Sequence, residues 1–207
     1  MIEIGITGNI GGGKSTVSDY LIQKGYSVID ADKIVKEIYK DPEYIEKMIE
    51  TFGQEIAVES NGSIELDKRK IFDIVFHDDQ KLAILDKVVG PFFKKILNKE
   101  IEARQEEEIV FFDIPLLYEK NYQRFMDKVI MVYCDDEIRY RRASERDEKT
   151  VEQIQSVDHS QMSQEEKKEL ADFVLDNSTT ISALHQQIEK TLQEIKEFVK
   201  QHEWQKK

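Results

Sequence analysis

The sequence predicts an α/β protein: three layers, α/β/α, built on a five-stranded parallel sheet with a helical insertion and a lid. Three observations predict it. Short β-branched or aromatic runs recur at about 2–7, 26–30, 109–113, 128–134 and 172–176, each followed by helical periodicity. Their near-continuous apolar character suits strands buried on both faces, as parallel sheets require. Four of the five runs end at or beside a chemically useful residue, and open parallel sheets bind ligands at the carboxyl ends of their strands.

The first run is Ile2–Thr7. It leads into Gly8-Asn9-Ile10-Gly11-Gly12-Gly13-Lys14-Ser15-Thr16, which fits G-x-x-x-x-G-K-[S/T], and then into a helical face of Val17, Tyr20, Leu21 and Ile22. Strand, glycine turn and helix together make a phosphate-binding P-loop. Glycines let the backbone N–H groups point inward, and the helix N-terminus adds partial positive charge. Lys14 can reach the β- and γ-phosphates and the Ser15 hydroxyl can ligate Mg²⁺. A glycine turn closing a hairpin is the bland alternative, but hairpins do not need three consecutive glycines followed by a helix. The motif specifies a nucleoside triphosphate and leaves kinase, switch and motor open.

The second run ends in Asp30-Ala31-Asp32. Alternation puts both carboxylates on one side if the strand continues that far. A carboxylate there can accept the proton of a hydroxyl nucleophile in phosphoryl transfer, or Asp32 can cap the helix that follows. Nearly 80 residues then separate the second and third runs. They read as helices near 32–40, 43–51, 67–77 and 79–104, the last interrupted at Gly90-Pro91, with a turn at Asn61-Gly62. This divides the chain into a core, 1–31 and 105–207, and a helical substrate-binding insertion, 32–104.

The third run, Phe111-Phe112-Asp113, ends in the form of a Mg²⁺-associated carboxylate, or of a plain turn Asp. Pro115 stops the strand, and Leu117 or Tyr118 could line a substrate pocket. After the fourth run, a helix over 136–147 carries Arg139, Arg141, Arg142 and Arg146; Arg142 and Arg146 share a face and could clamp a transferring phosphate. A solvated basic face is the alternative. The polar segment 148–170 lacks an apolar stripe and suits a mobile cover, placing a lid near 142–170. Asp176-Asn177 ends the fifth run and could contact a base or form an Asx turn. The last helix, 181–204, carries a packing stripe of Leu184, Ile188, Leu192, Ile195 and Val199, with Phe198 at its edge.

Composition narrows the partners. Lys plus Arg is 30 and Asp plus Glu is 42, a net charge of −12, which disfavours general nucleic-acid binding and obliges any polyanionic ligand to meet a local basic cluster. Cys134 is the single cysteine, expected as a small apolar residue in a reducing compartment. No hydrophobic run approaches membrane-spanning length and no leader pattern opens the chain, so a cytoplasmic protein with no membrane partner is expected, as a monomer or small homo-oligomer. His77, His159, His185 and His202 show no metal-ligand spacing and are expected at the surface. No Asn-Lys-x-Asp run reads guanine and no Asp-x-x-Gly follows the third strand, which argues against a GTP switch.

Taken together, GITGNIGGGKST, VIDADKIVKEIY, FFDIPLLYE, the Arg142/Arg146 helix running into Asp147, and ADFVLDN resemble the dephospho-coenzyme A kinase family over nearly the whole chain. The resemblance implies a nucleoside-monophosphate-kinase-like P-loop fold with strand order 2-3-1-4-5. It implies Mg²⁺-dependent transfer of the ATP γ-phosphate to the ribose 3′-hydroxyl of dephospho-coenzyme A, completing coenzyme A synthesis. On that reading Asp32 is the base, Lys14 and Arg142 hold the transferring phosphate, Gly11, Gly12, Gly13, Lys14, Ser15 and Thr16 hold ATP together with Asn177, Arg146 belongs to the nucleotide or lid contacts, and Ser15 and Asp113 belong to the metal. Asp32, Lys68, Leu117 and Tyr118 fall to the acceptor. Two positions depart: the family usually has His-Pro at Gly90-Pro91 and Arg at Lys68, and lysine loses the bidentate geometry of arginine. Both leave another small hydroxyl acceptor, or a diverged nucleotide-binding paralogue, as alternatives.

Overall fold

A computed structural model describes residues 1–60, 62–75 and 78–205. The chain divides into two compact units, Met1–Asp30 with Glu106–Lys207, and Ala31–Gln105. The first contains β1 (Ile2–Thr7), α1 (Lys14–Gln23) and β2 (Ser27–Asp30). In the second lie α2 (Ala31–Ile38), α3 (Pro42–Phe52), β3 (Ala57–Ser60), β4 (Ser63–Leu66), α4 (Lys68–Val75) and α5 (Asp79–Glu102). The first unit resumes with β5 (Ile109–Asp113), β6 (Lys128–Tyr133), α6 (Asp136–Asp147), α7 (Val151–Asp158), α8 (Gln164–Leu170), β7 (Phe173–Asp176) and α9 (Ile181–Gln205).

Five strands form one parallel sheet in the order β2-β5-β1-β6-β7. Counting only its own strands, that is the expected 2-3-1-4-5. β5 is buried at every position, which explains its unbroken apolar run Ile109-Val110-Phe111-Phe112. Alternate residues of the strands share one core: Ile2, Ile4 and Ile6 of β1 pack with Phe111, Ile130, Val132 and Leu175, under α1 and α9. The α9 stripe is buried as its spacing predicts, each such side chain contributing about 1.5–3 kcal/mol on full burial. On the opposite face, a side chain on Gly5 would press into Leu117 and Met126, so the glycine lets the segment after β5 close onto the sheet.

Three expectations change. The segment 148–170 forms two short helices, α7 and α8. Each starts in a capping box, Thr150 with Gln153 and Ser163 with Glu166, which satisfies the first backbone donors reciprocally. The 57–66 stretch is an antiparallel hairpin, β3 with β4, in register Ser60↔Ser63; Gly62 has φ 78°, and Asn61 lies outside the described residues. The long helix is not interrupted: α5 runs through Gly90-Pro91. Proline removes one helical hydrogen bond and crowds the carbonyl four residues earlier. The next residue, Phe92, stacks edge-on against the buried Tyr44 ring of α3 with centroids 5.3 Å apart, a packing contact that offsets this cost.

A Cβ on Gly90 would meet nothing within 4 Å. Glycine in a helix interior costs roughly 0.5–1 kcal/mol relative to alanine. Gly90→Ala is therefore expected to raise the denaturant midpoint by that amount in free energy at an unchanged m-value. A destabilised variant would mean that the helix needs glycine beside Pro91.

Candidate active site

The phosphate loop is shaped from outside. Gly11 and Gly13 have φ of 75° and 91°, in the left-handed region. A Cβ on Gly11 would collide with the Arg139 carbonyl, and one on Gly13 with the Asn177 amide. The glycines thus serve conformation and close approach together. Behind the loop, buried Asn177 donates from Nδ2 to the Gly12 carbonyl at 2.9 Å, and its own carbonyl accepts from Arg142 at 3.1 Å.

Lys14 opens α1 and its ammonium is paired with Asp113. Ser18, one helical turn on, donates to the second Asp113 oxygen at 2.6 Å. Asp113 is 5% exposed, and parallel pairing sets it beside Ile6 of β1 on one flank and Asp30 of β2 on the other. A buried carboxylate holding the loop lysine keeps that cation in place with its charge compensated. Ser15 is exposed on the first turn of α1, and Thr16 is half-buried there.

The arginines of α6 have different surroundings. Arg142 is half-buried, with its guanidinium on the Asn177 carbonyl and 3.4 Å from the Cys134 sulfur. Arg146 is exposed and makes a two-point bond with Asp147 at 2.7 and 2.8 Å, which raises its own pKa and lowers that of Asp147. The residue that goes inside is Arg139, at 2% exposure. It meets Asp158 of α7 at two points, 2.7 and 2.6 Å, and also reaches Asp136, the Tyr140 hydroxyl and the Ile10 carbonyl of the loop. Burial alone would raise the Asp158 pKa; hydrogen bonds from Arg139, Asn9 and Tyr140 outweigh it and hold the carboxyl below its usual range.

Further ties fasten the α7–α8 segment. Asn9 donates to Asp158 at 2.9 Å and to the Met162 carbonyl at 3.0 Å, and the Ile10 N–H donates to Gln161 at 3.2 Å. Lys167, fully buried, pairs with Glu119 at 2.9 Å, and the Met162 N–H donates to the same carboxylate.

Other expected residues fall as follows. β2 stops at Asp30, so strand alternation does not extend to Asp32, which is exposed in the first turn of α2, where an acidic side chain favours the helix dipole. Leu117 is wholly buried against the sheet and is a core side chain rather than a pocket lining. Tyr118 is 6% exposed, its pKa pushed up to about 12 by burial and then by Asp172. Asp176 accepts from the Ser178 N–H at 2.8 Å, the Asx-turn alternative. Cys134 is buried, and burial raises its thiol pKa. His159 is exposed, whereas half-buried His185 stacks on Tyr20 at 4.0 Å; His77 and the His202 side chain lie outside the described residues. Arg139, Asp158, Asn9, Gln161 and Ser18 had no assigned role from sequence. The available signal was spacing: Arg139 lies four residues before Ala143 and Asp158 four after Ile154, each on the face of a buried apolar neighbour.

Within the second unit, a groove of about 1040 Å³ is lined by Lys36, Tyr39, Lys40, Ile45, Ile64 and Lys68 among others. Lys68 lies with its ammonium 4.8 Å from the Tyr39 ring centroid, a cation–π contact. No group of metal-binding side chains and no helix long and apolar enough to cross a membrane occurs among the described residues.

A parallel 2-3-1-4-5 sheet, a glycine loop opening α1, and a loop lysine held on the carboxylate of the neighbouring strand define a P-loop phosphotransferase of the small-molecule kinase type. Residues 2–183 match the family model described as dephospho-CoA kinase, and the chain belongs to that family. A dephospho-CoA kinase of Fusobacterium nucleatum is 39% identical over 189 residues, 90% of this chain and 95% of its own. A solved Thermus thermophilus structure superposes with a TM-score of 0.83 at 35% identity, covering 93% of this chain and 97% of that one. The dephospho-CoA kinase structure from Campylobacter jejuni gives 0.67 at 28% identity, over 93% and 96%.

If Asn177 shapes the loop through the Gly12 carbonyl, exchanging its donor for an acceptor opposes two oxygens. Asn177→Asp is expected to lower kcat/KM for ATP by about tenfold or more, the scale of a buried hydrogen bond replaced by an unsatisfied group. An unchanged kcat/KM for ATP would show that the bond to Gly12 is dispensable.

Proposed function

We propose that this protein transfers the γ-phosphate of ATP to the ribose 3′-hydroxyl of dephospho-coenzyme A, giving ADP and coenzyme A, the final step of coenzyme A synthesis. The observation that carries the reading is Lys14 resting on Asp113 beside the glycine loop, a cation positioned for phosphate in a chain of net charge −12. Family membership supplies the acceptor.

In the proposed cycle the loop N–H groups of Gly11 to Thr16 and the α1 N-terminus receive the ATP phosphates. Lys14 leaves Asp113 for the β- and γ-phosphate oxygens, where its charge counters the negative charge carried through the transfer. Arg142, held close behind the loop by Asn177, takes the other side of the transferring group, and Arg146 exchanges Asp147 for nucleotide or cover contacts. Asp32 accepts the proton of the attacking 3′-hydroxyl as the oxygen–phosphorus bond forms and the bond to ADP breaks. The segment near 142–170 acts as the lid that excludes water.

The residues suit Mg²⁺. Exposed Ser15 and the carboxylate of Asp113 are hard oxygen donors, and the departure of Lys14 uncovers an Asp113 oxygen. Ser15 and Asp113 would hold the ion, which would supply positive charge to counter the negative charge of the phosphates. The acceptor reading draws support from the insertion groove, whose lining combines apolar Ile45, Ile49 and Ile64 with Lys36, Lys40 and Lys68, beside Glu46, Glu50 and Glu65: apolar surface for a pantetheine arm and cations for a pyrophosphate. A cytoplasmic setting fits the single buried thiol.

An acceptor panel with ATP and Mg²⁺ tests the reading. ADP release is expected with dephospho-coenzyme A and not with other small alcohols; release with a different alcohol alone would assign another acceptor to the groove bordered by Lys68. In the same assay Asp32→Asn is expected to lower kcat by roughly 10²–10⁴ with the KM for ATP little changed. A wild-type kcat would reduce Asp32 to a helix-dipole residue.

A further inference from the structure

Ile10 is a loop residue whose two peptide groups are both taken by side chains from elsewhere. Its N–H donates to Gln161 at 3.2 Å and its carbonyl accepts from Arg139 at 3.3 Å. Asn9, the residue before, is 3% exposed and donates to Asp158 and to the Met162 carbonyl. Arg139 and Asp158 therefore lie at the junction of three elements: the first half of the phosphate loop, α6, and the end of α7. Every guanidinium nitrogen is engaged. Nε meets Asp136; one terminal nitrogen meets Asp158 and Ile10; the other meets Asp158 and Tyr140, whose hydroxyl donates on to Asp158 at 2.8 Å. A planar fork with all its donors directed fixes orientation as well as charge. Gly11 then passes so close to the Arg139 backbone that a side chain there would collide with its carbonyl.

We infer that Arg139 and Asp158 are a positioning pair for ATP binding: through the Ile10 carbonyl and the Asn9 side chain they hold the first half of the phosphate loop in its receiving shape and fasten α7 to it. Neither residue touches the reacting atoms. Two features separate this from plain structural support. The pair spends one guanidinium donor on the carbonyl of the Ile10–Gly11 peptide, while Gln161 takes the N–H of the Asn9–Ile10 peptide before it, so that two successive loop peptides are held from outside. The second half of the loop has its own separate support in Asn177. Loss of the pair thus loosens Asn9 to Gly11, with the Asn9 carbonyl that accepts from the Gly12 N–H, while the Gly12 carbonyl keeps Asn177 and Lys14 keeps Asp113. Weaker ATP binding, with the acceptor and the chemical step spared, is the signature.

The inference rests on the ATP half of the proposed function and is independent of the acceptor. The experiment is a calorimetric titration of MgATP into wild type, the double variant Arg139→Met/Asp158→Leu, and Asp158→Asn. Replacing a buried ion pair by apolar residues of similar size is often neutral for stability, so the double variant separates folding from positioning. Its melting temperature is expected to stay near wild type while the Kd for ATP rises about tenfold, the scale of one lost charged hydrogen bond. Asp158→Asn keeps the shape and weakens the anchor; a smaller rise in Kd is expected, with the KM for the acceptor unchanged. A folded double variant with wild-type Kd overturns the inference. If the double variant does not fold, Asp158→Asn decides: a lowered melting temperature with unchanged Kd for ATP overturns it, and a raised Kd with unchanged acceptor KM supports it. Wild type that binds no ATP would instead overturn the proposed function.

Discussion

The structure depends on one constraint: a loop that binds phosphate through backbone N–H groups has almost no side chains with which to hold its own shape. Glycine gives Gly11 and Gly13 the left-handed conformation and the clearance they need, at the cost of stiffness. Rigidity must then come from neighbours. Asn177, at the end of β7, supports the second half through the Gly12 carbonyl, and Arg139 and Gln161 hold the peptide groups of Ile10 in the first. The parallel sheet brings these residues together because β1, β6 and β7 are adjacent and all end at the same edge.

Charge follows the same logic. A chain of net charge −12 receives a polyanion only where cations are concentrated. Lys14 is paired with the buried carboxylate of Asp113, and half-buried Arg142 is held on a backbone carbonyl; in the proposed cycle both exchange these partners for phosphate. Arg139 is the opposite case, buried in a full set of bonds, and so serves architecture rather than ligand. Neighbouring arginines on one helix thereby take different tasks according to burial.

How far the molecule could be read from sequence depended on which signal each element leaves. All five sheet strands were legible within a residue because buried parallel strands are continuous apolar runs. The α9 stripe was legible for the same reason at helical period. α7 and α8 were not, because their inward faces carry Asp158, Gln164 and Lys167, which no apolar periodicity marks; their capping boxes were the overlooked sign. The β3–β4 hairpin was missed although Asn-Gly between alternating residues is a strong hairpin signal. α5 defeated the rule that proline breaks helices, and Phe92 packs on Tyr44 just beyond it. Lys14, Asp113 and Arg142 could be nominated from motif and spacing, but the Arg139–Asp158 pair joins positions nineteen apart in sequence, and only the folded chain brings them together.

The proposed phosphotransfer has a defined regiochemistry, from a donor at the glycine loop to one ribose hydroxyl. Phosphorus NMR of the product formed from ATP and dephospho-coenzyme A tests it directly. A single new phosphomonoester resonance on the ribose 3′-oxygen is expected, in step with ADP. Inorganic phosphate released in place of that ester, or a phosphate on any other oxygen of the acceptor, would contradict it.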